Sequence, residues 1–388
     1  MIRLNRLYIS NFKSLDNFEL EFSEFTCLIG LNSSGKSTIL QAIDFVAQQM
    51  NGNFSGWLKE RGWKANELRC KLVKSKNIKG MIFFHYNYNT YGWFFEFNTT
   101  LKKCTFETVA IFENNFETIF KVKDGKYTII DIETKEKLHG DIIQEYEGSF
   151  LASLKSDLLP QPIKEFKAYL QNIYSLDLLA PQELRKRSRK GSKLGLSGEN
   201  LSAFLNSFST EQKRTLLEQL QKCYPHLESL DIRKSAGGWS RLELVEKFGT
   251  IKLVNEAKYL NDGVLRLIAI LSQLQSNPSF LLFDEIENGI NAELIEFLID
   301  TLIASGHQIM ITTHSPMILN YIDDETAIKS VQYIYKTPEG FTQSIPFFSI
   351  PSMKEKLELM GAGEVYVDTN LVKLYEEIKS LNDAKIES

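Results

Sequence analysis

Cysteine and histidine are scarce in this chain of 388 residues, numbering four and five, and neither is patterned. Cys27, Cys70, Cys104 and Cys223 form no CxxC pair, so they read as buried reduced thiols, with Cys27 inside an apolar run. His85, His139, His226 and His307 show no metal-ligand spacing with one another or with the cysteines. No uninterrupted apolar run approaches the roughly 18 residues that cross a bilayer. The opening MIRLNRLYISNFKSL also lacks a signal-peptide core. The expectation is a soluble cytoplasmic protein with no membrane partner. Net charge is only −4, so no global field advertises nucleic acid, and any such contact must come from a local patch. Internal repeats, low-complexity linkers and sustained heptads are missing too.

With 43% hydrophobic and 24% charged residues, the chain can build a sizeable core in two or three compact lobes. Its most informative stretch is Gly30 to Ser37, GLNSSGKS, which fits the phosphate-cradling P-loop pattern and follows the apolar run Phe25 to Ile29. Glycines let backbone N–H groups close around phosphate oxygens, Lys36 supplies a point charge for the β and γ phosphates, and the Ser37 hydroxyl can ligate Mg²⁺. Ile39, Leu40, Ile43 and Val46 recur behind it at helical spacing, so the loop opens a helix whose positive end faces the phosphates. Gly30, Asn32, Ser33, Ser34, Gly35, Lys36, Ser37 and Thr38 are therefore the candidate nucleotide-binding residues, with ATP and Mg²⁺ as cofactors.

The organisation is α/β. Strands are expected at Leu4–Ile9 and Phe25–Ile29, then an antiparallel meander from Met81 to Ile132, where β-branched and aromatic runs alternate with turns such as Asp124–Gly125. Residues 150–230 read as mostly helical, with Leu201, Phe204, Leu205 and Phe208 on one face. Phe280–Phe283 and Gln308–Thr312 are continuous apolar runs, as for parallel strands buried on both faces, with a helix from Ala292 between them. The expected division is a nucleotide-binding core (1–50 and 251–345), an inserted antiparallel β subdomain (51–149), a helical arm and signature subdomain (150–250), and a C-terminal helical tail (346–388).

Four further segments carry chemistry. Asp284 and Glu285 follow FLLF: Asp284 can hold the Mg²⁺ shell, while Glu285 can orient the water that attacks a γ-phosphate. The bland alternative is a solvated acidic loop, since Glu287 is also there. His314 follows the strand QIMITT and can hydrogen-bond a γ-phosphate or the attacking water. LNDGVLR heads an apolar-periodic helix with Asn261 or Asp262 as N-cap; either it is a capped core helix, or Asn261, Asp262 and Gly263 bind a γ-phosphate presented by a second subunit. ELRKRSRKGSK packs six basic residues between Arg185 and Lys193. Of these, Arg185, Lys186, Arg187, Arg189 and Lys190 are candidate contacts for nucleic acid or a partner, against the alternative of a solvated surface. Gln182, just upstream, is a candidate for sensing Mg²⁺ and coupling the nucleotide to the arm.

Read in order, GLNSSGKS, LNDGVLR, FLLFDEIENGIN and MITTHSP resemble the ABC-type ATPase head shared by the SMC, RecF and OLD-like families. LYISNFKSL and LGLSGENLSAFLNSF resemble the OLD and RecF branch. The resemblance spans most of the chain and implies a P-loop NTPase of ABC-ATPase type: a mixed sheet core with an antiparallel β subdomain and a helical arm. It also implies a head-to-head homodimer with two ATPs sandwiched between the P-loop of one subunit and the signature of the other. Asp284 and Glu285 would then be the Walker B pair, Asn288 to Ile290 the loop across the dimer, and His314 the switch histidine. Departures narrow the choice. Asn261 and Asp262 stand where transporter ATPases show Ser-Gly, and Val264 replaces the final glutamine. About 220 residues separate Ser37 from Leu260, too few for SMC arms, and the stretch after His314 is short for the nuclease domain of OLD proteins. Such a lone head resembles the ATPase half of anti-phage systems such as Septu-type PtuA or retron-associated ATPases, in which a separate protein, plausibly here a nuclease, supplies the toxic activity. Two other readings stay open: a RecF-like repair ATPase that clamps DNA itself, and a nuclease with an unrecognised metal site.

Overall fold

β1 (Arg3–Ser10) and β2 (Phe18–Glu21) form a hairpin ahead of β3 (Phe25–Ile29), which feeds the P-loop and the helix Lys36–Gln48. The computed structural model describes residues 2–112, 116–189 and 191–387. The meander follows as β4 (Asn77–Tyr86), β5 (Asn89–Asn98), β6 (Lys103–Phe112), β7 (Phe116–Lys123), β8 (Lys126–Ile130) and β9 (Lys137–Asp141). It joins the hairpin through antiparallel β1–β4 pairing, giving one eight-stranded sheet in the order β2-β1-β4-β5-β6-β7-β8-β9.

The chain continues through β10 (Ile173–Ser175), a three-stranded antiparallel sheet of β11 (Leu227–Lys234), β12 (Ser240–Phe248) and β13 (Ile251–Glu256), and then β14 (Phe280–Phe283), β15 (Gln308–Thr312), β16 (Val331–Lys336) and β17 (Thr342–Pro346). The central sheet has the order β10-β14-β15-β3-β16-β17, parallel throughout except for β17, which returns antiparallel to β16. It is a mixed sheet, as the resemblance implied.

Its inner strands β3, β14 and β15 are largely apolar and buried along their whole length because both faces are covered. Cys27 and Ile29, Leu281 and Phe283, and Ile309 and Ile311 point into one core, shared with the Asp262–Gln275 helix. Leu28, Phe280, Leu282 and Met310 point into the other, shared with the Lys36–Gln48 helix and the antiparallel sheet. Phe45 pins that helix to the sheet, with its ring 5.2 Å from Phe97 and 5.1 Å from Phe12. The parallel register pairs Phe283 with Ile311 and Thr312 with Leu28, so Asp284, Thr312 and Gly30 share one carboxyl edge of the sheet. Ligands bind at that edge in open α/β sheets.

Two expectations need correction. Residues 3–21, expected within the nucleotide-binding core, pair as strands with the antiparallel sheet instead, since β1 hydrogen-bonds to β2 and β4, while Leu4, Leu7 and Ile9 share their core with Leu28, Phe280 and Met310 of the parallel strands. The expected helical arm at 150–250 does contain the helices Gln161–Gln171, Leu201–Asn206 and Thr210–Cys223, but it also holds β11 and β12. Leu242 and Leu244 bury one face of that hairpin, and Gly237 and Gly238 turn it at positive φ. Cys27, Cys70 and Cys104 are buried, Cys223 is partly exposed, and all four are free thiols. Among the described residues, no helix is long and apolar enough to cross a membrane.

Candidate functional site

Gly35 takes φ 114° as the N-cap of the Lys36–Gln48 helix, no side chain caps that end, and its first turn carries no acidic residue. The orphan N–H groups of the first turn are therefore available to an anion. A Cβ on Gly35 would stand 2.2 Å from Thr342 Oγ1, so only glycine fits. Thr342, fully buried on β17, braces the loop by donating its hydroxyl to Ser34 O (2.8 Å), while its backbone N–H donates to Ser14 O (2.8 Å). Ser34 Oγ is buried without a partner, a second feature suited to a bound polar group.

Lys36, only 5% exposed, donates from Nζ to Gly30 O at 2.8 Å and Leu31 O at 3.1 Å. Burial pushes its ammonium pKa down, opposed by Asp284, Glu285 and Glu287. The loop lines a cavity of about 610 Å³ with Asn32, Ser33, Gly35, Lys36, Ser37 and Thr38 on one side and Glu285 and His314 on another. Ser14 and Lys336 complete the wall. Neither was foreseen as a site residue, although Ser14 lies inside the quoted LYISNFKSL. Lysine, hydroxyls and free helix-end N–H groups in a cavity of this size form a donor set for a nucleoside polyphosphate and its divalent cation.

The two loops opposite are cross-linked. Thr312 Oγ1 donates to Asp284 Oδ1 at 2.6 Å and accepts from Glu285 N at 2.8 Å. Glu285 is held at φ 46°, a left-handed conformation that costs a non-glycine residue about 1–2 kcal/mol and concentrates at functional sites. Its carboxylate reaches within 3.6 Å of His314 Nε2, and His314 Nδ1 lies 3.5 Å from Lys36 Nζ. Glu287, which the sequence suggested only as part of an acidic loop, accepts at Oε1 from Thr313 Oγ1, His314 N and Ser315 N at 2.9, 2.8 and 3.2 Å.

A smaller cavity of about 280 Å³ adjoins, lined by Asp177, Pro181, Asp262, Arg266, Asp284 and Asn288, and shares Glu285 with the first. Asn261 caps the Asp262–Gln275 helix by accepting from Val264 N at 2.8 Å. A Cβ on Gly263 would meet Gly289 O at 2.5 Å, so the absence of a side chain lets this helix lie against the Asn288–Ile290 loop of the same chain. Arg266 strengthens that contact by donating to Asn288 O at 2.8 Å. Asn261 and Gly263 line neither the P-loop cavity nor this one; Asp262 lines the smaller.

Gln182 is exposed on the short helix Pro181–Leu184 and lines neither cavity. Asp177 is the nearby residue that links the helix behind the P-loop to the smaller cavity. Arg61, whose side chain is fully buried, grips both Asp177 oxygens at 2.9 Å and Asp44 on the Lys36–Gln48 helix at 2.7 Å. Burial pushes the Asp177 carboxyl up, but the hydrogen bonds and charge of Arg61, with the Ser175 hydroxyl, together outweigh that and hold it below the usual carboxylate range. Residues so far apart in sequence leave no local signal.

The basic run is tied down within the chain. Arg185 donates to Leu260 O at 2.8 Å and pairs with Asp262, Lys186 pairs with Glu183, and Arg187 reaches Glu256 at 3.4 Å. Arg189 donates to Gly237 O at 2.9 Å and covers the Trp239 ring. Lys190 lies outside the described residues.

The protein family described as "AAA domain, putative AbiEii toxin, Type IV TA system" matches residues 25–320. A curated relative, the phosphonates import ATP-binding protein PhnC of Bdellovibrio bacteriovorus, is 36% identical over 88 residues, which is 22% of this chain and 32% of that protein. Among solved structures, an SMC head bound to the C-winged helix domain of ScpA superposes with TM-score 0.53 at 19% identity, covering 90% of this chain and 99% of that one. The Smc head domain with an extended coiled coil, bound to the C-terminal domain of ScpA derived from Pyrococcus furiosus, gives TM-score 0.53 at 14% identity, covering 92% and 100%. Both likenesses concern the fold alone.

Proposed function

The chain belongs to the family described as "AAA domain, putative AbiEii toxin, Type IV TA system", and we propose that it is an ATP-binding ATPase of the ABC and SMC-like class that binds and hydrolyses MgATP in the P-loop cavity. The observation that carries this is the convergence of Lys36, Glu285 and His314, from three distant segments, on the wall of one cavity at a helix N-terminus. Bound Mg²⁺ would screen phosphate charge and align the terminal phosphate. Ser37 and Asp284 are the residues that would hold it. Lys36 would exchange its loop carbonyls for phosphate oxygens, Glu285 would orient and polarise the attacking water, and His314 would hydrogen-bond the terminal phosphate.

The smaller cavity supports a second element of the reading. It opens beside Glu285 and carries Asp262 and Arg266 from the signature helix, which suits a composite site closed by a second copy of the chain. In this proposal ATP drives a head-to-head dimer whose shape is read by a separate effector such as a nuclease, with the ATPase as sensor, scaffold or restraint in anti-phage defence. The domain division at 51–149 and 150–250 would then separate the nucleotide core from partner-reading surfaces. Direct gripping of DNA by the basic run has less support, since its described members already have partners inside the chain. Analytical ultracentrifugation of the Glu285→Gln variant with and without MgATP tests the dimer: a doubling of mass on ATP is the expected result, and an unchanged monomer would remove it.

A further inference from the structure

We infer that Glu287 is a positioning residue for ATP turnover, holding the His314 loop against the Glu285 turn so that the two side chains keep one geometry. The inference rests on the reading of Glu285 and His314 as the hydrolytic pair.

The His314 ring is not fixed by its own contacts, which are long: 3.5 Å to Lys36 Nζ and 3.6 Å to Glu285 Oε1. Its backbone is held much more tightly. Glu287 Oε1 alone receives the His314 amide at 2.8 Å, the Ser315 amide at 3.2 Å and the Thr313 hydroxyl at 2.9 Å. Hydrogen bonds to a carboxylate are roughly twice as strong as neutral ones. Ser315 N also reaches Thr313 Oγ1 at 2.9 Å, closing the loop on itself. Glu287 is fixed from its own side, since Asn288 N donates to Glu285 O at 2.9 Å and Ile290 N donates to Glu287 O at 3.1 Å. Glu285 and His314 are therefore joined through two short turns and one carboxylate oxygen.

The other oxygen, Oε2, is buried with no partner. All the described bonding runs through Oε1, and an amide oxygen can accept the same three donors. This separates positioning from an electrostatic role for the negative charge. Under positioning, Glu287→Gln keeps the loop and Glu287→Ala releases it. Under a charge effect on Lys36, the two substitutions do equal harm.

The test uses the full chain carrying Glu287→Gln, Glu287→Ala, His314→Ala or the His314→Ala/Glu287→Ala pair, with steady-state ATP hydrolysis and hydrogen exchange of the segment 311–316. Positioning predicts that Glu287→Ala lowers kcat by roughly tenfold or more with KM within about threefold, and that Glu287→Gln stays within about threefold of the parent in both. In the His314→Ala background, adding Glu287→Ala should change kcat by less than about threefold, because the group it positions is already gone. Exchange at His314 and Ser315 should quicken by roughly tenfold or more in the alanine variant and not in the glutamine variant. Equal loss in both single variants, full additivity in the double variant, or unchanged exchange would each overturn the inference. Parental hydrolysis in Glu285→Gln would instead sink the reading of the hydrolytic pair, and the exchange result would still decide whether Glu287 holds the loop.

Discussion

Oε1 of Glu285 lies 3.6 Å from Nε2 of His314, although the two residues stand on different strands' loops and Glu285 must adopt φ 46° to bring its carboxylate there. The contact depends on Thr312, whose hydroxyl bonds both Asp284 and the Glu285 amide and sets the two loops at one height. The acidic pair and the histidine thus face the P-loop as one assembly.

Replacing Lys36 by Ala should weaken ATP binding by roughly a hundredfold or more, because a charge-assisted donor to phosphate is lost from a buried position. Calorimetric titration with MgATP checks this. Undiminished affinity would remove the P-loop lysine from the site.

Glu285→Gln keeps the shape of the side chain and discards its basicity. Turnover should fall by roughly two orders of magnitude while ATP stays bound. Single-turnover hydrolysis alongside equilibrium binding separates the two effects, and unchanged turnover would assign the water to another group.

Arg61→Ala leaves Asp44 and Asp177 buried without their shared cation. Removing one partner of a buried ion pair costs about 3–5 kcal/mol, so the urea midpoint should drop sharply. Asp44 is the more exposed to this loss in energetic terms, since burial already raises its carboxyl pKa against the opposing pull of Arg61. A shift below about 1 kcal/mol would mean that the network contributes little net stability.

Glu107 is fully buried on β6, and burial pushes its carboxyl from 4.5 up to about 7, against hydrogen bonds from Ser149, Phe150 N and Trp93 that lower it. The folded state therefore holds this proton over a pH range where the unfolded chain has released it. Its stabilising contribution is fully present below about pH 4.5 and is lost as pH rises through about 7. The loss should be roughly 3 kcal/mol across that window. Glu107→Gln should flatten this part of the stability profile in urea unfolding series between these pH values; a parallel profile would show that Glu107 titrates normally.

The elements with the strongest local signals were legible in the sequence. The runs Phe25–Ile29, Phe280–Phe283 and Gln308–Thr312 are strands with those bounds, and the apolar spacing after Lys36 and after Asp262 marks two helices. The meander was visible from its alternation and turns. The hairpin of β11 and β12 was not, because charged residues interrupt its apolar face and the neighbouring helical periodicity extended over it.

The same division runs through the candidate site. GLNSSGKS, Asp284–Glu285 and His314 could be picked out because the chemistry of phosphate binding demands particular residues at short spacing along a strand-loop-helix. The roles of Ser14, Lys336, Thr342 and Glu287, the Asp44–Arg61–Asp177 link and the partners of Arg185, Arg187 and Arg189 depend on contacts between segments far apart in the chain. Gln182 illustrates the limit: its position in sequence suggested a coupling residue, while packing leaves it exposed and puts Asp177 on the cavity wall. A local motif constrains which atoms are available, but which of them meet is set by burial and strand register, and these are properties of the assembled sheet.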